Sequence, residues 1–364
     1  MAGFDPLTRR SGVIAGANIC YMRAKPVPEK ETDMPDLSRR HLLAGTAAVG
    51  VFAATASLAQ ERPASAPPRD LTGKSILITG TSSGFGRLGA EHYARRGAKV
   101  FATMRNLPRP EAAELAELAR AEKLDIHIIE IDVLSDEQVA RGVAEAERIN
   151  GGPLDVLVNN AGIGITGPSE VQDMEATKLI FDTNVFGPHR MARAVLPGMR
   201  QRGSGQIIQI SSQLGRVIVP PGGHYSGTKF ALEAMSEQLA YELVPHNIDV
   251  SIVEPGGYPT EVWVNRNIYT GALKARAEQE HLEGYPQIVA NMGEEDGSGR
   301  SADPMDVPRV IEQLIAMAPG TRPLRQPVSG GNIPQTELNR VTAETQIGWL
   351  GGSAYGPAIK AVLG

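Results

Sequence analysis

The segment Ser75–Gly86, SILITGTSSGFG, sends a short apolar run into three glycines, and an amphipathic stretch follows at once. A run this continuous in Ile and Leu suits a strand covered on both faces, as in the middle of a parallel sheet. Gly80, Gly84 and Gly86 let the chain turn tightly at the end of the strand and bring backbone N–H groups close to a ligand. Strand, glycine turn and helix in this order form a seat for a pyrophosphate, because the helix N-terminus carries partial positive charge. A simple helix-capping turn is the plainer alternative.

The same alternation continues downstream. SILITG (75–80), KVFATM (99–104), DIHIIEIDV (125–133), LDVLVNNAG (154–162), GQIIQISS (205–212) and DVSIVEPGG (249–257) read as strands, with helical stretches such as RLGAEHYARRG and EAAELAELARAEK between them. Strand-helix repetition of this kind predicts a doubly wound α/β fold, a parallel sheet with helices on both faces. After Gly257 the regularity stops. Residues 258–305 hold Trp263, Ile268, Tyr269 and Tyr285 among charged and glycine positions. A long insertion after a strand's carboxyl end reads as a substrate lid, with a packed loop as the alternative. DVPRVIEQLIAMAP then predicts a helix and TRPLRQPV an edge strand, before a glycine-rich tail. The expected organisation is a single domain, with a core over 73–257, the lid over 258–305 and a C-terminal extension over 306–364.

Charge and cysteine use exclude several functions. The chain carries 36 Lys and Arg against 41 Asp and Glu, a net −5, without basic runs, which argues against a nucleic-acid partner. Its one cysteine, Cys20, leaves neither an intramolecular disulfide nor a thiolate metal site. Ser38-Arg39-Arg40 precedes an uncharged run from Leu42 to Ala59 that is rich in Ala, Gly, Thr and Val and ends in small residues. The pattern resembles a twin-arginine leader, starting at Met34 and cleaved after Ala59, which implies a periplasmic protein without a stable membrane span. An uncleaved anchor, or a cytoplasmic protein with a chance Arg pair, is the alternative. Residues 60–72, Pro-rich, read as a flexible linker.

With Thr79 in front, the glycine spacing T-G-x-x-x-G-x-G resembles that of the short-chain dehydrogenase/reductase family, whose fold is Rossmann-like. NNAG at 159–162, Asn184 in TNVFG, Ser212 in QISSQLG, Tyr225 and Lys229 in YSGTK, and PGGYPT from Pro255 follow in the order that family keeps. The resemblance implies dinucleotide contacts at Gly80, Ser82, Ser83, Gly84, Phe85 and Gly86. It implies further contacts at Arg105, at Asp132 and Val133, at Asn159, Ala161 and Gly162, at Tyr225 and Lys229, and at Pro255, Gly256 and Thr260. At the end of the second strand, where an acidic residue would mark NAD, the chain offers Arg105. A guanidinium pairs with a 2′-phosphate, so NADP(H) is favoured over NAD(H).

Tyr225 and Lys229, at i and i+4, share one helix face. A phenol titrates near ~10 and needs a shift of about three units to exchange protons at neutral pH, which an ammonium ~4 Å away supplies in magnitude. The resemblance implies Tyr225 as general acid/base, Lys229 as the group lowering its pKa, and Ser212 as the hydroxyl that polarises the substrate oxygen. It also implies Asn184 as holder of a water linking Lys229 to solvent. The expected function is an NADP-dependent oxidoreductase interconverting a secondary alcohol and a ketone, or an aldehyde, of a small or hydrophobic substrate. No metal is called for. A non-catalytic nucleotide-binding sensor or scaffold and an epimerase or dehydratase are the alternatives. A homodimer or homotetramer is the expected assembly.

Overall fold

A computed structural model describes residues 69–364. Residues 1–68, which include the leader and most of the linker expected from the sequence, lie outside it. Seven parallel strands form one sheet: β1 (Ser75–Thr79), β2 (Lys99–Met104), β3 (Ile126–Glu130), β4 (Val156–Asn159), β5 (Gly205–Ile210), β6 (Ile248–Pro255) and β7 (Arg325–Val328). Their spatial order is β3-β2-β1-β4-β5-β6-β7. The order reverses between β1 and β4, and a sheet of this kind opens a ligand crevice at the carboxyl ends of those two strands.

The strands are buried on both faces because their side chains alternate between two cores. Ile76 and Ile78 join Val100, Val156, Val158 and Ile208 on one side. Leu77 joins Phe101, Leu157, Ile207 and Ile252 on the other. Each fully buried aliphatic side chain contributes about 1.5–3 kcal/mol relative to exposure. Two strands are shorter than the apolar runs suggest. After Asn159 the N–H groups of Asn160 and Ala161 both turn to donate to Thr79 Oγ1, at 3.0 and 2.9 Å. After Glu130 the chain turns at Asp132, whose Oδ1 accepts from the Leu134 N–H at 3.0 Å.

The connecting helices are α1 (Gly84–Arg95), α2 (Pro110–Glu122), α3 (Asp136–Asn150), α4 (Met174–Phe181), α5 (Gly187–Arg202) and α6 (Tyr225–Leu243). Their starts differ in one respect that matters for function. Side-chain oxygens of Ser135 and Asp173 cap α3 and α4 by accepting from Gln138 and Ala176. The start of α1 has no side-chain cap and no acidic residue in its first turn. The starts of α2, α5 and α6 likewise lack a side-chain cap, so what sets α1 apart is the glycine turn that precedes it.

The segment after Gly257, expected as a lid, folds as α7 (Val262–Arg276) and two short helices, α8 (Gln279–Glu283) and α9 (Pro286–Ala290). The expected C-terminal helix is α10 (Asp306–Ala316), which packs into the core through Val307, Ile311, Leu314 and Ile315. The tail forms α11 (Gln335–Leu350) and α12 (Gly356–Leu363). It docks on β6, the strand beside the sheet edge: Asn339 donates to Glu254 Oε2 at 2.8 Å, and Gln335 donates to the Glu254 carbonyl. β7 pairs with β6 from Ile252–Arg325 to Pro255–Val328, so the sheet is completed by residues beyond 257. Among the described residues no helix is long and apolar enough to cross a membrane.

Candidate active site

The glycine turn is shaped by backbone contacts. Gly80 has φ +71° and lies so close to the next strand's end that a Cβ would sit 2.9 Å from Ala161 Cα. Asn160 fixes the turn from below, donating to the Thr79 and Gly80 carbonyls at 2.9 and 3.1 Å. Sequence reasoning passed over Asn160, although NNAG contains it, and placed Asn159 at the adenine end. Asn159 is buried, its Nδ2 donating to the Pro188 carbonyl at 3.3 Å, and its Oδ1 has no protein partner. Ser83 precedes α1 in extended backbone, and Ser82 beside it is half-buried. Gly84, with φ +55°, faces Thr260 from across the crevice, the nearest atom to an added Cβ being 3.7 Å away. Gly86 packs against the Gly80 carbonyl, and Phe85 stands edge-on to buried Tyr258 with ring centroids 5.4 Å apart.

The other residues expected at the dinucleotide have the following surroundings. Asp132 closes its turn below β3, and Val133 is buried against Gly187. Gly162 borders Asn184 and Lys229, and Gly256, following Pro255, donates its N–H to the Val328 carbonyl at 2.8 Å. Arg105, at the end of β2, donates to the hydroxyl of Tyr269 on α7 at 2.8 Å.

Ser212 lies two residues beyond β5, and Tyr225 opens α6 after the turn through Gly223. The Ser212 hydroxyl accepts from the Leu214 N–H at 3.1 Å and favours the ionised form of the Tyr225 phenol. Lys229, one turn further along α6, donates to the Ile210 carbonyl at 2.9 Å, with Nζ 5.6 Å from the Tyr225 ring centroid. Asn184 lies in a single π-helical turn, Asp182–Phe186, between α4 and α5. Such turns inside helices are often found at functional sites. Its amide donates to the Ile163 carbonyl and Thr228 Oγ1, and its Oδ1 accepts from the Ile163 N–H. The Asn184 side chain thus ties the β4 loop to α6.

The electrostatics differ from the expectation that Lys229 lowers the tyrosine's pKa. Burial pushes the Tyr225 phenol above its ordinary value, opposed by the Ser212 hydrogen bond and by Arg266. Burial also pulls Lys229 down to about 8, with Glu233 opposing. The cause is geometric. The ammonium points to a carbonyl and the ring, while desolvation acts on both groups alike. Arg266, on α7, is a cation that sequence reasoning missed, since a charged residue in a segment read as a cover carries no distinguishing spacing.

The uncapped start of α1, the turn at Gly80 and the orphaned Asn159 Oδ1 fit a dinucleotide along the crevice. Opposite them stand a buried serine, a buried lysine and a half-buried tyrosine. Together they define a doubly wound α/β protein whose crevice suits a dinucleotide. A family model described as short chain dehydrogenase matches residues 74–269, and the chain belongs to that family. It is 41% identical to retinol dehydrogenase 8 of Homo sapiens over 191 residues, 52% of this chain and 60% of that protein. It thus matches less than two thirds of that relative's length. It is 38% identical over 263 residues to an uncharacterized oxidoreductase, YusZ, of Bacillus subtilis, covering 71% of this chain and 90% of the other. A short-chain dehydrogenase from Streptomyces avermitilis superposes with a TM-score of 0.58 at 33% identity, over 76% of this chain and 97% of that one.

Proposed function

We propose that the protein is an NADP-dependent oxidoreductase that interconverts a secondary alcohol and a ketone, or an aldehyde, of a small or hydrophobic substrate. The observation that carries this reading is the convergence of Ser212, Tyr225 and Lys229 at the carboxyl ends of β4 and β5, beside the uncapped start of α1. A nicotinamide dinucleotide bound in the crevice would supply or accept the hydride. The amides at the start of α1 would hold its phosphates, and Arg105 would pair with the 2′-phosphate, exchanging its bond to Tyr269 for a stronger charged one. In the reduction direction Ser212 holds the substrate oxygen as negative charge develops there, and Tyr225 gives that oxygen its phenolic proton. In oxidation the same phenol takes the proton back. Lys229, with a pKa near 8, is poised to pass protons close to neutral pH and restores the phenol after each turnover.

Export through a twin-arginine leader belongs to the same reading. A protein that must load NADP in the cytoplasm has reason to fold around it before export, and the bound nucleotide would then be recycled by a second substrate. Association through α5 and α6 is favoured by the exposed Phe230 and Met235 on α6. The function is tested by following NADPH and NADH oxidation with a panel of aldehydes and ketones. Turnover with NADPH exceeding that with NADH is expected, and no turnover with any carbonyl compound removes the proposal. Mass spectrometry of native protein reads the leader and the nucleotide together. A mature chain beginning after Ala59 with NADP retained is expected, and an intact leader or a nucleotide-free periplasmic protein speaks against export after loading.

A further inference from the structure

Helix α11 presents its two faces the wrong way round for a lone chain. A surface helix ordinarily buries its apolar stripe and gives its polar face to water. In α11 the most deeply buried residue is Gln335, whose amide donates to the Glu254 carbonyl at 3.3 Å. On the same inward face Asn339 donates to Glu254 Oε2 and Gln346 donates to the Tyr241 hydroxyl at 2.7 Å, with Ala343, Ile347 and Leu350 half-buried beside them. Arg216 fastens one flank by donating to Thr342 Oγ1 at 2.7 Å. The outward face carries large apolar side chains instead. Leu338 is 40% exposed, Val341 45% and Trp349 78%, and with exposed Thr345 they fall at spacings of three, four and four. Such spacings draw one stripe along a helix. Exposed Ile333 precedes the stripe, and Tyr355, 71% exposed, follows it in the turn to α12.

We propose that this stripe is an interface with a second copy of the chain, in which α11 packs antiparallel against the α11 of the other copy across a two-fold axis. The proposal goes beyond the catalytic reading and does not depend on it. Area favours this occupant. Aromatic side chains carry about 150–250 Å² each, so Trp349 and Tyr355 together with the three aliphatic residues expose on the order of 500 Å². Two copies would remove about 1,000 Å² of apolar surface before any polar rim is counted, which is the size at which an interface becomes specific. The stripe is also self-complementary. In an antiparallel pair centred at the level of Ala343, Leu338 of one copy faces Trp349 of the other, and Val341 faces Thr345. Large side chains thereby meet smaller ones, and an isologous contact of this kind closes on itself. Charge points the same way. The four charged side chains of residues 329–364, Glu337, Arg340, Glu344 and Lys360, cancel, and Arg340 pairs with both carboxylates. Two copies therefore approach without like-charge repulsion, whereas a lipid surface is matched by a basic rim beside the apolar stripe, which these residues do not supply.

The test is the assembly mass of the full chain by sedimentation velocity, in wild type, Val341→Asp and Trp349→Gln. Val341→Asp is expected to halve the wild-type mass with an unchanged far-ultraviolet circular dichroism spectrum, whether or not α5 and α6 form a further contact. Trp349→Gln should weaken association by at least tenfold, the loss that follows removal of a central aromatic anchor. Should Val341→Asp fail to fold, Leu338→Gln, at the other end of the stripe from Trp349, takes its place with the same expected loss of mass. A bismaleimide with a short spacer should join two chains of Thr345→Cys in a Cys20→Ser background, because the two-fold axis brings the two thiols close. A monomeric wild type, or a mass that none of these substitutions changes, would overturn the proposal. A monomeric chain that sediments with phosphatidylcholine vesicles would overturn it too, and would assign the stripe to lipid.

Discussion

On the β1 side of the crevice the ligand-facing surface is backbone, the uncapped amides of α1 and the turn at Gly80. On the β5 side it is side chains, a buried serine and lysine and a half-buried tyrosine. Backbone amides cannot titrate and are positioned by local geometry, so the first side acts as a fixed anion seat. Buried side chains titrate according to everything packed around them, so the second side depends on its neighbours, as Lys229 does on Glu233. Binding and chemistry should therefore separate under mutation.

The sharpest way to separate them is Tyr225→Phe. Its kcat for carbonyl reduction is expected to fall by roughly a hundred- to ten-thousandfold, the usual contribution of a general acid, while NADPH affinity changes far less. Parallel loss of both, measured by turnover and by calorimetric titration, would break the comparison. Gly86→Ala acts on the other side. Its new methyl group would stand 2.3 Å from the Gly80 carbonyl oxygen and 2.5 Å from Asn160 Nδ2. Overpacking of this kind costs about 1–3 kcal/mol. Urea unfolding should show that loss, with weakened dinucleotide binding beside it. Arg105→Ala should weaken NADPH by roughly ten- to a hundredfold, the worth of a charge-assisted bond, and leave NADH unaffected. Equal effects on both nucleotides would refute the 2′-phosphate role.

The smallest effect concerns the sheet edge behind the site. Burial first, and then the neighbouring Glu233, push the Glu254 carboxyl up to about 8, while α11 seals it through Asn339. The folded chain holds that proton more tightly than the unfolded chain does. The contribution to stability is thus complete below about 4.5, and it declines as pH rises toward about 8. Glu254→Gln should flatten this slope and raise Tm by a few degrees at the alkaline end. A melting series with unchanged slope would show that α11 docks independently of that proton.

The strands and the glycine turn were legible because their causes are local. Apolar runs covered on both faces and glycines at a strand's end carry their own signature. Ser212, Tyr225 and Lys229 were legible as spacing, and the fold does bring them together. The direction of the Lys229 ammonium, the occupation of Asn184 by Ile163 and Thr228, and the bond from Arg105 to Tyr269 were not legible. Each depends on partners brought in by tertiary packing. The same holds for the place of Arg266, which comes from α7 lying on Gly164 and Thr166. Asn160 was within reach, since two consecutive asparagines at a strand's end invite the question of which one faces the glycine turn.

The central claim is that one phenol stands beside a dinucleotide seated on the first turn of the sheet. A crystal structure of the protein with NADPH tests it directly. The account predicts the pyrophosphate on the Gly84–Gly86 amides, the 2′-phosphate at Arg105 and the nicotinamide ring beside the Ser212 and Tyr225 oxygens. A nucleotide whose nicotinamide lies away from Tyr225, or whose phosphates avoid the start of α1, would contradict it.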